Sequence, residues 1–228
     1  MRAKKNFEGS KNVIESSLRI ATILALPMAI GMSVLANPIM NGAYFGSSSE
    51  GTLLLAIMGI SSFFVCIVAM TTAILQASGF ERLPMYNMLL GGAFNIVISW
   101  ILLGNRELNI YGSAIGTLIS YMIMCAANLM FVIRKMPEHP KLSKSFIKPL
   151  INSLAMGAAA WLVYPAVLGL LGAGPNPGRM TILIALMVAI AVGVVVYGVL
   201  TVVTKAITIE DMRLIPKGEK IAKLLRIK

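Results

Sequence analysis

Acidic side chains are scarce in this chain and missing from the places where membrane chemistry would need them. Only nine of its 228 residues are Asp or Glu, against 20 Lys and Arg, and it has one histidine and two cysteines. All nine carboxylates (Glu8, Glu15, Glu50, Glu81, Glu107, Glu138, Glu210, Asp211 and Glu219) lie outside six long apolar stretches. An intramembrane protease needs Ser with His, paired Asp residues or a zinc site within its spans, and these stretches carry none of those sets. The same absence excludes ion coupling through a carboxylate embedded there. The sequence also has no GxxxxGK[ST] loop, so ATP hydrolysis through that motif is excluded. No enzyme activity and no cofactor are expected. Cys66 and Cys125 sit singly in mid-span with no CxxC spacing and no neighbouring ligands, so both are expected to serve packing. His139 has only Glu138 as a carboxylate close by, as expected of a solvated side chain.

What the chain has in abundance is apolar surface. It is 57% apolar and 13% charged with a mean hydropathy of +0.83. A soluble domain is about 45 to 50% apolar and about 25% charged. The apolar residues gather into runs long enough to cross about 30 Å of hydrocarbon, each closed by Gly, Pro, Asn or charge. Six spans are predicted, at Ile20–Phe45, Leu53–Ala77, Met85–Leu103, Ile110–Ile133, Leu150–Leu171 and Thr181–Thr204. The expected fold is all-α and polytopic.

The net charge of +11 follows the membrane and gives no sign of nucleic acid. With the N-terminus in the cytoplasm, eighteen of the 20 basic residues fall on the inner side, leaving Arg106 and Arg179 outside. Both termini are therefore expected in the cytoplasm. Residues 1–19 read as a basic cytoplasmic segment without the pattern of a cleavable signal peptide. Residues 20–133 hold four spans, residues 134–149 a basic cytoplasmic loop, residues 150–204 two more spans, and residues 205–228 a cationic tail. In that tail Thr208 and Asp211 form a capping pattern. Ile221, Leu224 and Leu225 alternate with Lys220, Lys223 and Arg226, which predicts a short cationic helix lying on the membrane surface.

Uncharged polar groups remain inside the spans. Asn37, Gln76, Asn95, Ser120 and Asn128 are candidates for lining a hydrophilic cavity, with hydrogen bonding between helices as the alternative use of each amide. Gly112, Gly116 and Ser120 recur every four residues and predict a smooth stripe for close helix packing. Pro27 and the Asn37–Pro38 pair are expected to bend the first span near its middle and its outer end. The short turn from Phe80 to Pro84 predicts that spans two and three are antiparallel neighbours, which would let Gln76 and Asn95 face one cavity.

Three stretches resemble the multidrug/oligosaccharidyl-lipid/polysaccharide exporter superfamily, in the branch of stage V sporulation protein B and the lipid II flippases. The first is LPMAIG at 26–31 with LANPI at 35–39. The second runs from ILQASG at 74–79 through Pro84 and Asn95 to YGSAIGT at 111–117, Ser120, Tyr121 and Asn128. The third is IEDMRLIPKG at 209–218. This resemblance implies the last six helices of a fourteen-helix flippase, four from the C-terminal lobe and two accessory ones. It implies alternating access to a lipid-linked saccharide. The expected partners are membrane lipids, that saccharide, and a missing N-terminal lobe or a partner chain. In the accessory pair the resemblance suggests a groove for the lipid tail, with Trp161, Leu168, Val192 and Val196 among its apolar residues. A cation-coupled drug exporter of the same superfamily and a stand-alone six-helix scaffold are the competing readings.

Overall fold

The computed structural model describes the backbone of residues 2–43, 49–105, 108, 110–135, 142–172, 174 and 177–207, and their side chains apart from residues 2–10, 43, 49, 50 and 142–145. Among these residues there are seven α-helices and no strand: α1 (Arg2–Val34), α2 (Ala36–Ala43), α3 (Ser49–Ala77), α4 (Arg82–Leu103), α5 (Tyr111–Lys135), α6 (Leu142–Leu170) and α7 (Arg179–Val203). In lipid the backbone must satisfy its own hydrogen bonds, and the helix is the structure by which an apolar segment does so alone. Six of the helices contain segments long and apolar enough to span a bilayer: Lys11–Val34, Gly51–Ala77, Arg82–Leu103, Tyr111–Lys135, Phe146–Leu170 and Arg179–Val203. The fold is all-α with six candidate membrane-spanning helices.

The helices outrun the apolar runs that announce them. α1 starts at Arg2 and α6 at Leu142, whereas the matching spans are predicted from Ile20 and Leu150. Hydropathy marks the part of a helix that sits in hydrocarbon, while its hydrogen-bonded ladder continues into the polar interface. The first predicted span is divided between α1 and α2 at Leu35. Pro38 is the cause: it lacks the N–H that would bond the Val34 carbonyl, and its ring crowds that carbonyl. The ladder resumes at once, with the Leu35 N–H on Gly31 and the Ile39 N–H on Leu35, at 3.0 and 2.9 Å. At Pro27 the helix runs on without interruption.

The long helices pack as a row in the order α4, α5, α3, α1, α6, α7, with α2 folded against α7 and α3. This corrects the expectation that spans two and three are close neighbours. α4 packs mainly on α5 and meets α3 sparsely, so the short turn between α3 and α4 does not make them a packed pair. That turn is a Schellman closure. Gly79 adopts φ +83, its N–H bonds the Gln76 carbonyl, and the Phe80 N–H bonds the Leu75 carbonyl. Phe80 then packs over Leu75 and Ile74 in a core shared with Ile14, Leu18 and Val132. A second core joins Ala21, Ile67, Val68, Met124 and Cys125, with Cys66 against its edge. Cys125 is buried and Cys66 half-buried, both as free thiols.

α1 is one of the two middle members of the row, beside α3. Leu24, Met28 and Met32 are exposed and recur every four residues, forming one narrow strip between its neighbours. α4, at one end, buries only Pro84, Asn87 and Gly91.

Candidate functional site

Two polar junctions, one in each half of the row, tie the helices together through amides and hydroxyls. The first is centred on Asn128 of α5, which is 1% exposed. Its Oδ1 accepts the Asn87 amide of α4 at 2.7 Å. Its Nδ2 donates to Thr71 and Thr72 of α3 at 3.2 and 3.1 Å. Thr71 in turn donates to the Ile67 carbonyl of its own helix at 2.7 Å. One amide thus ties three helices, with its polar atoms matched where an unmatched group would be costly.

The α4–α5 contact extends from this junction with a four-residue period on both helices. Asn128 meets Asn87, Met124 meets Gly91, Gly116 meets Ser99, and Gly112 meets Leu102 and Leu103. A Cβ at Gly112 would come within 2.7 Å of the Leu102 carbonyl carbon. One at Gly116 would overlap the Ser99 hydroxyl and come within 3.1 Å of its backbone nitrogen. Ser120, which belongs to the same stripe, is fully buried with a hydroxyl that has no hydrogen-bond partner. Asn95 is half-buried on α4 and accepts the Ser99 hydroxyl at 2.9 Å.

The second junction joins α1, α6 and α7. Tyr197 of α7 donates to the Ile23 carbonyl of α1 at 2.7 Å. Below it, Asn152 of α6 is 1% exposed and donates to Thr204 at 2.9 Å. The Lys148 ammonium donates to the carbonyls of Thr204 and Lys205 at 3.0 and 3.4 Å. A cation is thereby held at the C-terminus of α7, where the helix dipole is negative. At its other end α7 caps α2: Arg179 donates from Nε to the Gly42 carbonyl at 3.0 Å. The two halves meet along α1 and α3, where Ser33 donates to the Ala56 carbonyl at 2.9 Å and Gly59 leaves room for it.

The residues singled out from sequence are therefore dispersed. Asn128 lies inside the interhelical packing, with no free surface toward a cavity. Asn37 is exposed on α2 and accepts the Asn41 amide at 2.5 Å, far along the chain from the other candidates. Gln76 is exposed near the end of α3, and the sparse α3–α4 contact does not bring it beside Asn95. Trp161 is exposed on α6, while Leu168, Val192 and Val196 are half-buried. Lys220, Lys223, Arg226, the Thr208–Asp211 cap and His139 lie outside the described residues. Sequence reading missed Thr71, Thr72 and Tyr197. Thr71 and Thr72 give no signal without the helix register, whereas Pro27 signals that some donor must reach the carbonyl four residues before it.

Among the described residues no group of three or more His, Cys, Asp or Glu converges. The polar contacts between the helices are made by amides and hydroxyls, with Lys148 and Arg179 at the helix ends. Helices of bilayer length joined in this way define a polytopic α-helical integral membrane protein. The family described as Lipid II flippase MurJ matches residues 2–174, most of the chain, and the chain belongs to that family. A curated relative, the uncharacterized membrane protein YabM of Bacillus subtilis (strain 168), is 26% identical over 222 residues, covering 97% of this chain. The chain spans 40% of that relative's length. No solved structure matches.

Proposed function

We propose that this chain supplies six helices of a flippase that moves an undecaprenyl-linked saccharide, a cell-wall or polysaccharide precursor, across the bacterial cytoplasmic membrane. The observation that carries the reading is the family match over residues 2–174, on a chain whose six long helices all reach bilayer length. The cycle is alternating access, in which packed groups of helices rock while the polar headgroup is sheltered and the lipid tail stays in the bilayer. The six candidate spans offer no carboxylate in their apolar stretches, which favours lipid-linked cargo over cation-coupled drug export. Both termini face the cytoplasm, following the distribution of Lys and Arg. The remaining helices of the transporter come from further polypeptide or a partner chain, because the relative is much longer.

The test is reconstitution of the native transporter containing this chain in liposomes with fluorescent lipid-linked saccharide on one leaflet. Loss of flipping on deletion of α1 to α7, with the truncated protein still in the membrane, is expected. Full flipping without these helices would refute the reading. Flipping that needs a cation gradient and accepts unlinked hydrophobic drugs would transfer the chain to the drug-export reading.

A further inference from the structure

Pro27 breaks the hydrogen-bond ladder of α1, a middle helix of the row, without breaking the helix itself. Having no N–H, it leaves the Ile23 carbonyl, one turn earlier, without its helical donor. Within a bilayer such a carbonyl must be satisfied by another group. The donor comes from the far end of the chain: Tyr197, 174 residues away on α7, places its hydroxyl 2.7 Å from that oxygen. Two more hydroxyls, Ser153 on α6 and Thr201 on α7, adjoin the Tyr197 hydroxyl. They are 0% and 5% exposed, and neither makes a well-formed hydrogen bond.

We propose that Tyr197 is a latch tying the proline hinge of α1 to the α6–α7 pair, with Ser153 and Thr201 as the acceptors that receive its hydroxyl when the hinge opens. In the latched state Tyr197 donates to Ile23, and α1 is held against α7. When α1 bends about Pro27 and the Ile23 carbonyl withdraws, the same hydroxyl turns to Ser153 or Thr201. Tyr197 keeps an acceptor in either state, which removes one cost of opening and leaves the Ile23 carbonyl to be satisfied by another donor. The latch couples the pair at the end of the row to α1, along a seam where glycines admit larger side chains from the facing helix. Gly157 of α6 faces Ile30 and Val34 of α1, and Gly193 of α7 faces Met156 and Ala160 of α6.

The latch rests on the fold alone, so its test needs no substrate and is distinct from failure of the flippase reading. Amide hydrogen exchange is followed by mass spectrometry on the whole chain in lipid nanodiscs, reading peptides that cover residues 20–34. Tyr197→Phe keeps the ring and removes the donor, and is expected to accelerate exchange there by about five- to tenfold, the size of one hydrogen bond's contribution. Pro27→Ala restores an N–H to the ladder, so that in this background Tyr197→Phe is expected to change exchange by less than about twofold. Equal acceleration in both backgrounds would reduce Tyr197 to a packing residue and overturn the latch, as would no acceleration in the native background. The pair Ser153→Ala with Thr201→Val removes the receiving acceptors and is expected to slow exchange below the native rate. Unchanged exchange in that variant would overturn their role.

Discussion

At the scale of single residues, the amide of Asn128 fixes more of this structure than any charge does. It spends one acceptor on Asn87 and two donor bonds on Thr71 and Thr72, across three helices. Replacing it with Ala would strand the Asn87 amide and open a small cavity, and both effects act in one direction. Asn128→Ala is expected to lower stability by about 2 kcal/mol, while Asn87→Ala costs about half as much because Asn128 keeps its threonines. The double variant is expected to cost about 1 kcal/mol less than the sum of the two, since they share a bond. Unfolding in mixed micelles measures all three, and strict additivity would show that the amides do not act together. A gain is expected at Lys205, which closes α7 with φ +49, its N–H on Val202 and the Ala206 N–H on Thr201. That Schellman position favours glycine, so Lys205→Gly is expected to raise stability by about 1 kcal/mol in the same assay.

At the scale of elements, the α4–α5 contact is where the pattern in the sequence and the packing can be compared closely. Four-residue spacing at Gly112 and Gly116 marks a smooth stripe, and the structure sets the backbone of α4 against it at Leu102 and Ser99. Gly92 has nothing within 4 Å of where its Cβ would lie. The two kinds of glycine are expected to respond oppositely. Gly116→Val forces α4 away and is expected to cost about 2 to 3 kcal/mol, whereas Gly92→Ala is expected to gain up to about 1 kcal/mol from helix propensity. Thermal unfolding of the two variants side by side checks both signs, and similar losses at both sites would mean that close approach is not what Gly116 provides. Which stretches are apolar enough to span a membrane and where α1 breaks are legible in sequence because they follow from local rules, apolar length and the missing N–H of Pro38. Which helices touch is not local. The Phe80–Pro84 turn is equally short whether α4 lies on α3 or swings onto α5, and the choice is made by the glycine stripe and the Asn87–Asn128 bond together. The same limit hid the second junction: Asn152 is recognisable as an intramembrane amide, but its pairing with Thr204 depends on the register of α6 against α7.

At the scale of the whole molecule, an open row of helices raises the question of what surrounds it. Exposure of Met88, Leu89, Phe94, Ile96 and Trp100 on α4 does not by itself demand a protein neighbour, because hydrocarbon accepts such residues as readily as a helix does. Length is what bears on a neighbour. A relative that matches 97% of this chain gives only 40% of its own length to the match. If the native transporter has that size, an antibody raised against the sequence from Lys217 to Lys228 is expected to reveal, in source-cell membranes, a band roughly two and a half times the 24.4 kDa of this chain. A band at 24.4 kDa would instead require a separate partner chain to complete the transporter. Cross-linking in those membranes before the blot decides that case: a shift to a discrete higher mass identifies the partner, and no shift at any cross-linker concentration would leave a six-helix protein acting alone. That last result would sink the flippase proposal, because alternating access needs a second group of helices for the row to rock against.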